Sequence, residues 1–342
     1  MSTAAIYYPV AHRSQAQIDS FKTRYEDFED TLIPEIFKQS LGLTALSWKP
    51  SDSWGSAHVI YFVTVPQYKK PLVLRANTGF GEPETVMLTE KLVTDKVRSV
   101  GLPTNHILHV DLTRKLVPFD FQIQETLEGT DPEVNFPDSH SEYDRLSFEL
   151  GQYIARLSEV SLEGFGLFDA KALSTQQLVG QHPSMHDYVM TNVAEDLVYL
   201  VTAKVITPEV SSKIETLLEE SKDLINIDQG TLVHHDLADH NLLYKDGHLS
   251  AVFDWETAVS GDVALDLASC PTWGTLYPRE EQMLKGFQSI RELPSLWSEK
   301  RDIYRLRTML WKMVYTIRAN ILTEARAQRF TNALKPFGLD AQ

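Results

Sequence analysis

Two short apolar runs, residues 230–233 and 249–253, bracket a segment whose polar side chains stand at fixed offsets. The first run leads into His234-His235-Asp236, Asn241 follows Asp236 by five residues, and Asp254-Trp255-Glu256 begins thirteen residues after Asn241. Runs of four or five apolar and β-branched residues read as strands. One strand therefore ends in a turn that projects the Asp236 carboxylate and then the Asn241 amide, and a second strand delivers the Asp254 carboxylate. No other stretch constrains the architecture as strongly.

Phosphoryl transfer needs such a set. One carboxylate orients and deprotonates an attacking hydroxyl, while an amide and a second carboxylate hold the magnesium that bridges the phosphates. Magnesium keeps several waters and takes only one or two protein carboxylates, so a sparse donor set suits it. The protein-kinase catalytic loop has the same Asp-to-Asn spacing. Two other readings stay open at this point: a His- and Asp-rich surface loop, or a zinc site built from His234, His235 and His240. Zinc would leave Asn241 and Asp254 without roles.

The run His234-x-Asp236-x4-Asn241, then Asp254-Trp255-Glu256 and Gly261-Asp262-Val263-Ala264-Leu265-Asp266-Leu267-Ala268, resembles the aminoglycoside phosphotransferase family of kinase-like enzymes. The resemblance implies an α+β, two-lobed protein-kinase-like fold, with a small antiparallel-sheet N-lobe, a larger mainly helical C-lobe and a nucleotide cleft between them. It implies Asp236 as catalytic base and Asn241 and Asp254 as Mg2+ ligands, with ATP or GTP as co-substrate. His234 would brace the loop and Asp266 would hold its backbone. His235 replaces the small residue often found there, and nothing in the sequence accounts for it. Arg75 stands where protein kinases carry lysine, with Glu90 fifteen residues later and Gly101-Leu102-Pro103 eleven residues beyond that, also similar to the family. Both are otherwise ordinary surface charges. The loop with Ser53, Gly55 and Ser56 can offer N–H groups and hydroxyls to phosphate, although a lone glycine also fits a plain turn. The connector Gln124-Glu125-Thr126-Leu127 lies where backbone atoms of Glu125 and Leu127 would meet a purine.

The rest of the chain divides at 127–131, where Gly129 and Pro132 mark a linker, into an N-lobe of residues 1–127 and a C-lobe of residues 128–342. In the first, residues 59–65 and 71–76 read as a hairpin, 82–100 as a helix, and 106–110 and 119–124 as strands. A helical pattern over 27–37 is expected to be disturbed by Pro34. In the second, helices are expected over 143–160, 185–200, 211–224 and 301–334. A formal charge of −15 argues against nucleic acid and favours a cationic acceptor such as an aminoglycoside, with Asp187 and Glu256 as candidate acidic contacts. Choline-like alcohols, sugars and hydroxy-amino acids are the other acceptors considered. A non-catalytic kinase-like binding protein has no need of the base, and a protein kinase lacks its Asp-Phe-Gly. The single cysteine, Cys270, excludes an internal disulfide and reads as a buried filler. Without a secretory signal or an apolar run long enough for a membrane span, a cytoplasmic protein is expected.

Overall fold

The computed structural model describes residues 6–51, 57–78, 85–132, 141–273 and 279–341. The chain forms two compact units. One comprises Arg13–Glu128 and Ala251–Glu256; the other comprises Met1–His12, Gly129–Ser250 and Thr257–Gln342. Set beside a single cut at 127/128, two segments change sides. Residues 6–12, with the helical turn α1 (Pro9–His12), join the helical unit, and the six around Asp254 join the sheet unit.

The sheet unit carries five antiparallel strands in the order β1-β2-β3-β5-β4. They are β1 (Ser47–Pro50), β2 (Val59–Thr64), β3 (Leu72–Asn77), β4 (Ile107–Asp111) and β5 (Asp120–Glu125). β2 turns Val59, Tyr61 and Val63 inward at period two, whereas the central β3 is buried along its whole length. Three helices belong here: α2 (Gln15–Ser20), α3 (Ile33–Leu41) and α4 (Val86–Ser99). Pro34 does not disturb its helix. It occupies the first turn of α3, where the missing N–H is no loss. Ile33, Ile36 and Phe37 of α3 then pack with Tyr61, Leu74 and Phe121.

The helical unit holds α5 (Glu142–Leu157), α6 (Ala170–Ser174), α7 (Met185–Met190), α8 (Val193–Thr202), α9 (Pro208–Glu220) and α10 (Lys222–Ile225). After these come α11 (Ala264–Ser269), α12 (Glu280–Gln288), α13 (Trp297–Arg318) and α14 (Glu324–Leu334). Two long helices expected from periodicity are each broken by an asparagine in the left-handed region: Asn192 (φ 60°) parts α7 from α8, and Asn320 (φ 56°) parts α13 from α14. Where α5 meets α12, a Cβ on Gly151 would sit 1.9 Å from the Met283 carbonyl oxygen, so only glycine permits that contact.

This unit also contains an unexpected second antiparallel sheet, in the order β6-β9-β12-β7-β8. Its strands are β6 (Ser161–Leu162), β7 (Phe165–Phe168), β8 (Gly180–His182), β9 (Gly230–Val233) and β12 (Val259–Gly261); β9 is the run read as a strand from the sequence, and the others are too short for alternation to register. A hairpin joins β10 (Leu242–Lys245) to β11 (His248–Val252). Asp246 and Gly247 at its tip both have positive φ, as a two-residue hairpin turn requires. Helix α13 runs through the core and buries cations that are all engaged: Lys300 bonds Asp262 at 2.7 Å, and Arg307 bonds Asp196 at 3.0 Å. Among the described residues no helix is long and apolar enough to cross a membrane.

Candidate active site

β9 ends at Val233, and the backbone beyond it is fixed by carboxylate and amide groups. The N–H groups of His234 and His235 donate to the two oxygens of Asp266, each at 2.8 Å. The Asp236 N–H donates to His234 Nδ1 at 3.2 Å. Asn241 Nδ2 donates to the Asp236 carbonyl oxygen at 2.8 Å, and the Ala238 N–H meets the same oxygen at 2.9 Å. The NH2 group of Asn241 is thereby committed to the loop, which leaves its Oδ1 as the atom suited to a hard cation. Burial pushes the Asp266 carboxyl up to about 7, opposed by its two N–H donors.

Three further groups shape this loop. His235 has φ 70° and is buried among tyrosines; burial first, then the nearby cations, lower its ring pKa to about 3, so it is neutral at working pH. Lys312 on α13 bonds Thr272 Oγ1 at 2.6 Å and lies 3.4 Å from the Trp273 ring centroid. Burial drives its ammonium well below the lysine range, and the Asp236 carboxylate is the first group opposing that shift. Cys270 fills a buried position and donates its thiol to the Leu237 carbonyl at 3.1 Å.

In the sheet unit the charges are paired directly. Arg75 lies on β3, in register between Ile60 and Gln122. Its Nη1 meets Glu90 Oε2 on α4 at 2.6 Å, and its Nη2 lies 3.5 Å from Asp254 Oδ1 and 3.8 Å from Glu256 Oε2. Glu90 also accepts from Gln122 Nε2 at 2.9 Å and Asn105 Nδ2 at 3.3 Å. Burial works against the Arg75 charge, but Glu90, Asp254 and Glu256 outweigh it and raise its pKa above the ordinary value. Asp254 has φ 67°, and the indole of Trp255 behind it donates to Thr104 Oγ1 at 2.9 Å.

Several expectations change in detail. Glu256, read from the sequence as an acceptor contact, is bound to His58 Nε2 at 2.9 Å. Burial alone would raise its carboxyl, yet His58, Arg13 and Arg75 hold it well below the usual range. Asp187, the other acidic candidate, lies in the first turn of α7, whose N-cap is Ser184: it accepts from the Ser184 hydroxyl at 2.6 Å, and its own N–H donates to Ser184 Oγ at 3.1 Å. The Glu125 N–H is already donated to the His106 carbonyl at 2.9 Å and is not available to a base; Leu127 is half-buried. Ser53, Gly55 and Ser56 lie outside the described residues. Among the described residues no three His, Cys, Asp or Glu gather as a metal group. His234 Nδ1 takes the Asp236 N–H. Asn241 in the helical unit carries an amide oxygen and Asp254 in the sheet unit a carboxylate, each a donor type that magnesium takes.

A family model described as the phosphotransferase enzyme family matches residues 52–288. The chain belongs to this family. A stretch of 157 residues is 28% identical to hygromycin-B 4-O-kinase of Escherichia coli, covering 45% of this chain and 42% of that protein, so less than half of that relative's length is spanned. Among solved structures, a thermostable mutant of the aminoglycoside phosphotransferase APH(4)-Ia, in ternary complex with AMP-PNP and hygromycin B, aligns with a TM-score of 0.67 at 18% identity. That alignment covers 89% of this chain and 98% of the other. The macrolide 2'-phosphotransferase MphH of Brachybacterium faecium aligns with a TM-score of 0.57 at 18% identity, over 89% and 98% of the two chains. The fold is thus that of the family, an antiparallel-sheet unit and a larger helical one. Sequence reasoning missed Lys312, although a single lysine inside Leu310-Trp311-Lys312-Met313-Val314 was a signal. It also missed the tyrosines around His235, because nothing in linear spacing connects residues 7 and 8 to residue 235.

Proposed function

We propose that the protein transfers the γ-phosphoryl group of ATP or GTP to a hydroxyl of a small cationic acceptor of the aminoglycoside class. The observation that carries this reading is the Asp236 loop. A half-buried carboxylate stands on a backbone fixed on one side by Asp266 and on the other by Asn241, in a chain of the phosphotransferase enzyme family. Asp236 takes the proton of the acceptor hydroxyl as that oxygen attacks the γ-phosphorus. In the sheet unit, Glu90 holds the Arg75 guanidinium for the nucleotide phosphates. Asn241 and Asp254 would hold Mg2+, which when bound neutralises developing phosphate charge. The sheet unit then serves the nucleotide and the helical unit the acceptor. Because ATP and GTP are cytoplasmic metabolites, the reaction is assigned to that compartment.

The acceptor class rests on the net charge of −15 and on the hygromycin B and streptomycin complexes of structural relatives. The test is release of ADP from ATP, or of GDP from GTP, with Mg2+ over a panel of hygromycin B, streptomycin, a macrolide, choline and a neutral sugar. Turnover with an aminoglycoside is expected, with a KM that rises with salt, since charge pairs at a site mouth are screened together. A neutral sugar as best acceptor, or a salt-insensitive KM, rejects the cationic class. Asp254→Ala should raise both the Mg2+ requirement and the nucleotide KM. Activity lost to zinc chelation with Mg2+ dispensable would reject the kinase reading itself.

A further inference from the structure

His235 stands immediately before Asp236 and has φ 70°, a backbone region that a side chain with a Cβ adopts at a cost and glycine adopts freely. The residue is not held there by its N–H bond to Asp266 alone. Its ring is enclosed by the N-terminal segment. Tyr7 meets it edge-on at 5.2 Å between centroids and 89° between planes, and Tyr8 meets it edge-on at 5.1 Å and 77°. Each tyrosine is in turn locked from behind. Tyr8 stacks on Trp311 of α13 at 3.7 Å and 11°, and Tyr7 stacks on Tyr188 of α7 at 4.7 Å and 24°. The Tyr188 hydroxyl donates to the Tyr7 carbonyl at 2.9 Å and lies 3.3 Å from His235 Nδ1. The Tyr7 N–H donates to Asn192 Oδ1 at 3.1 Å, and the Arg307 guanidinium covers the Tyr7 ring at 3.8 Å. Tyr7 and Tyr8 are 0% and 2% exposed, so the segment is built into the core of the helical unit.

We propose that Tyr7 and Tyr8 are positioning residues for the phosphoryl-transfer loop: their rings hold His235 in its left-handed conformation and thereby set where Asp236 stands. The inference rests on the reading of Asp236 as the base. A glycine at position 235 would reach the same φ without help. The histidine makes the loop depend on two residues more than two hundred positions upstream, and the cage of rings supplies the constraint.

The experiment uses the full chain with Tyr8→Leu, Tyr7→Leu, His235→Gly and the His235→Gly/Tyr8→Leu double variant. Tyr8→Phe serves as the ring-keeping control. Two readouts are taken: hydrogen exchange of the 230–242 peptide in the free protein, and acceptor-dependent ADP release with hygromycin B. Tyr8→Leu is expected to speed exchange in 230–242 and to lower kcat by about tenfold with nucleotide KM unchanged, the scale of a sub-ångström misplacement of a reacting group. Tyr8→Phe restores both. In the His235→Gly background the same leucine substitution should lower kcat by less than about twofold, a coupling that a purely structural tyrosine would not give. An equal kcat loss in both backgrounds, or unchanged exchange in Tyr8→Leu, overturns the proposal. Should Tyr8→Leu not fold, Tyr188→Phe removes only the hydroxyl shared by Tyr7 and His235; faster exchange in 230–242 supports the proposal and unchanged exchange rejects it. If wild type turns over no acceptor, the kinase reading fails, while the exchange comparison still decides whether the rings hold the loop.

Discussion

Each unit carries one of the two candidate carboxylates at a place of backbone strain, Asp254 itself at φ 67° and Asp236 directly after His235 at φ 70°, but they restrain it by opposite means. In the sheet unit the restraint is ionic: Arg75 draws Glu90, Asp254 and Glu256 around one guanidinium. In the helical unit it is close to neutral: N–H groups on Asp266, an amide on a carbonyl, and a histidine enclosed by rings. An ionic cluster can re-partner when a charged ligand arrives, because its members exchange one counter-charge for another. Packed rings and backbone bonds have no such exchange available and hold one geometry. The contrast matches the proposed tasks: the nucleotide brings phosphate charge to the first, whereas a base must simply stay where the hydroxyl will be.

The largest expected effect falls on the neutral side. Asp236→Asn keeps the size and the loop bonds made by the Asp236 main chain while removing the proposed base, so kcat should fall about a hundredfold or more with nucleotide affinity largely unchanged. Steady-state ADP release and nucleotide titration measure the two separately. Retention of most activity would move the base elsewhere and leave the helical loop with a structural role only.

Next comes the ionic side. Glu90 is 1% exposed and is the shortest contact of Arg75, so Glu90→Gln strips a buried pair of one partner. Breaking such pairs costs about 3 kcal/mol or more, since the remaining charge is left poorly compensated. Urea unfolding should report that loss, together with a raised nucleotide KM. A loss below about 1 kcal/mol would mean that Asp254 and Glu256 compensate Arg75 by themselves and that Glu90 is not the anchor of the cluster.

The same contrast explains what the sequence revealed. Alternation and β-branching marked β2 and β3 within a residue or so, and the offsets of 236, 241 and 254 drew attention to residues that the fold sets on two defined loops. Arg75 and Glu90 were findable through the resemblance, which puts a strand cation where kinases carry lysine and a helical carboxylate fifteen residues on. The aromatic restraint was not findable, since Tyr7, Tyr188 and His235 share no spacing and meet only through tertiary packing. The second sheet escaped for another reason: strands of two to four residues such as β6 and β12 are defined by their neighbours, not by their own pattern. The broken helices escaped because Asn192 and Asn320 are tolerated mid-helix by propensity, and the left-handed conformation that ends the helix there is set by the fold.

A smaller effect tests how neutral the helical restraint is. The Asp266 carboxyl titrates near 7 in the fold against an ordinary value of 3.8, because it is buried. A raised carboxyl means that the folded chain holds a proton which the unfolded chain releases between pH 4 and 7. The stability from this group is therefore fully present below about pH 4 and is lost as pH rises through about 7. Asp266→Asn removes the titration, so urea midpoints should fall with rising pH in wild type and change less in the variant. The reverse slope, wild type gaining on the variant as pH rises, would mean that the two N–H bonds outweigh burial and that the loop is anchored by a full charge after all.

The smallest effect concerns the exposed acids of the helical unit, where the comparison is easiest to break. Asp187 is exposed, and its carboxylate is engaged in the first turn of α7 by the Ser184 hydroxyl. A carboxylate at that place contributes about 0.5 kcal/mol through the helix dipole and its bond to the cap, and little else. Asp187→Ala should therefore lower stability by about that amount and leave the KM for the proposed cationic acceptor unchanged, even at low salt where a charge contact would be strongest. If KM instead rose severalfold with kcat preserved, Asp187 would be supplying uniform binding energy to a cationic acceptor. The helical unit would then combine a neutral restraint around its base with a charged contact for its substrate, and Asp187 rather than Glu256 would be the first residue to vary in changing acceptor preference.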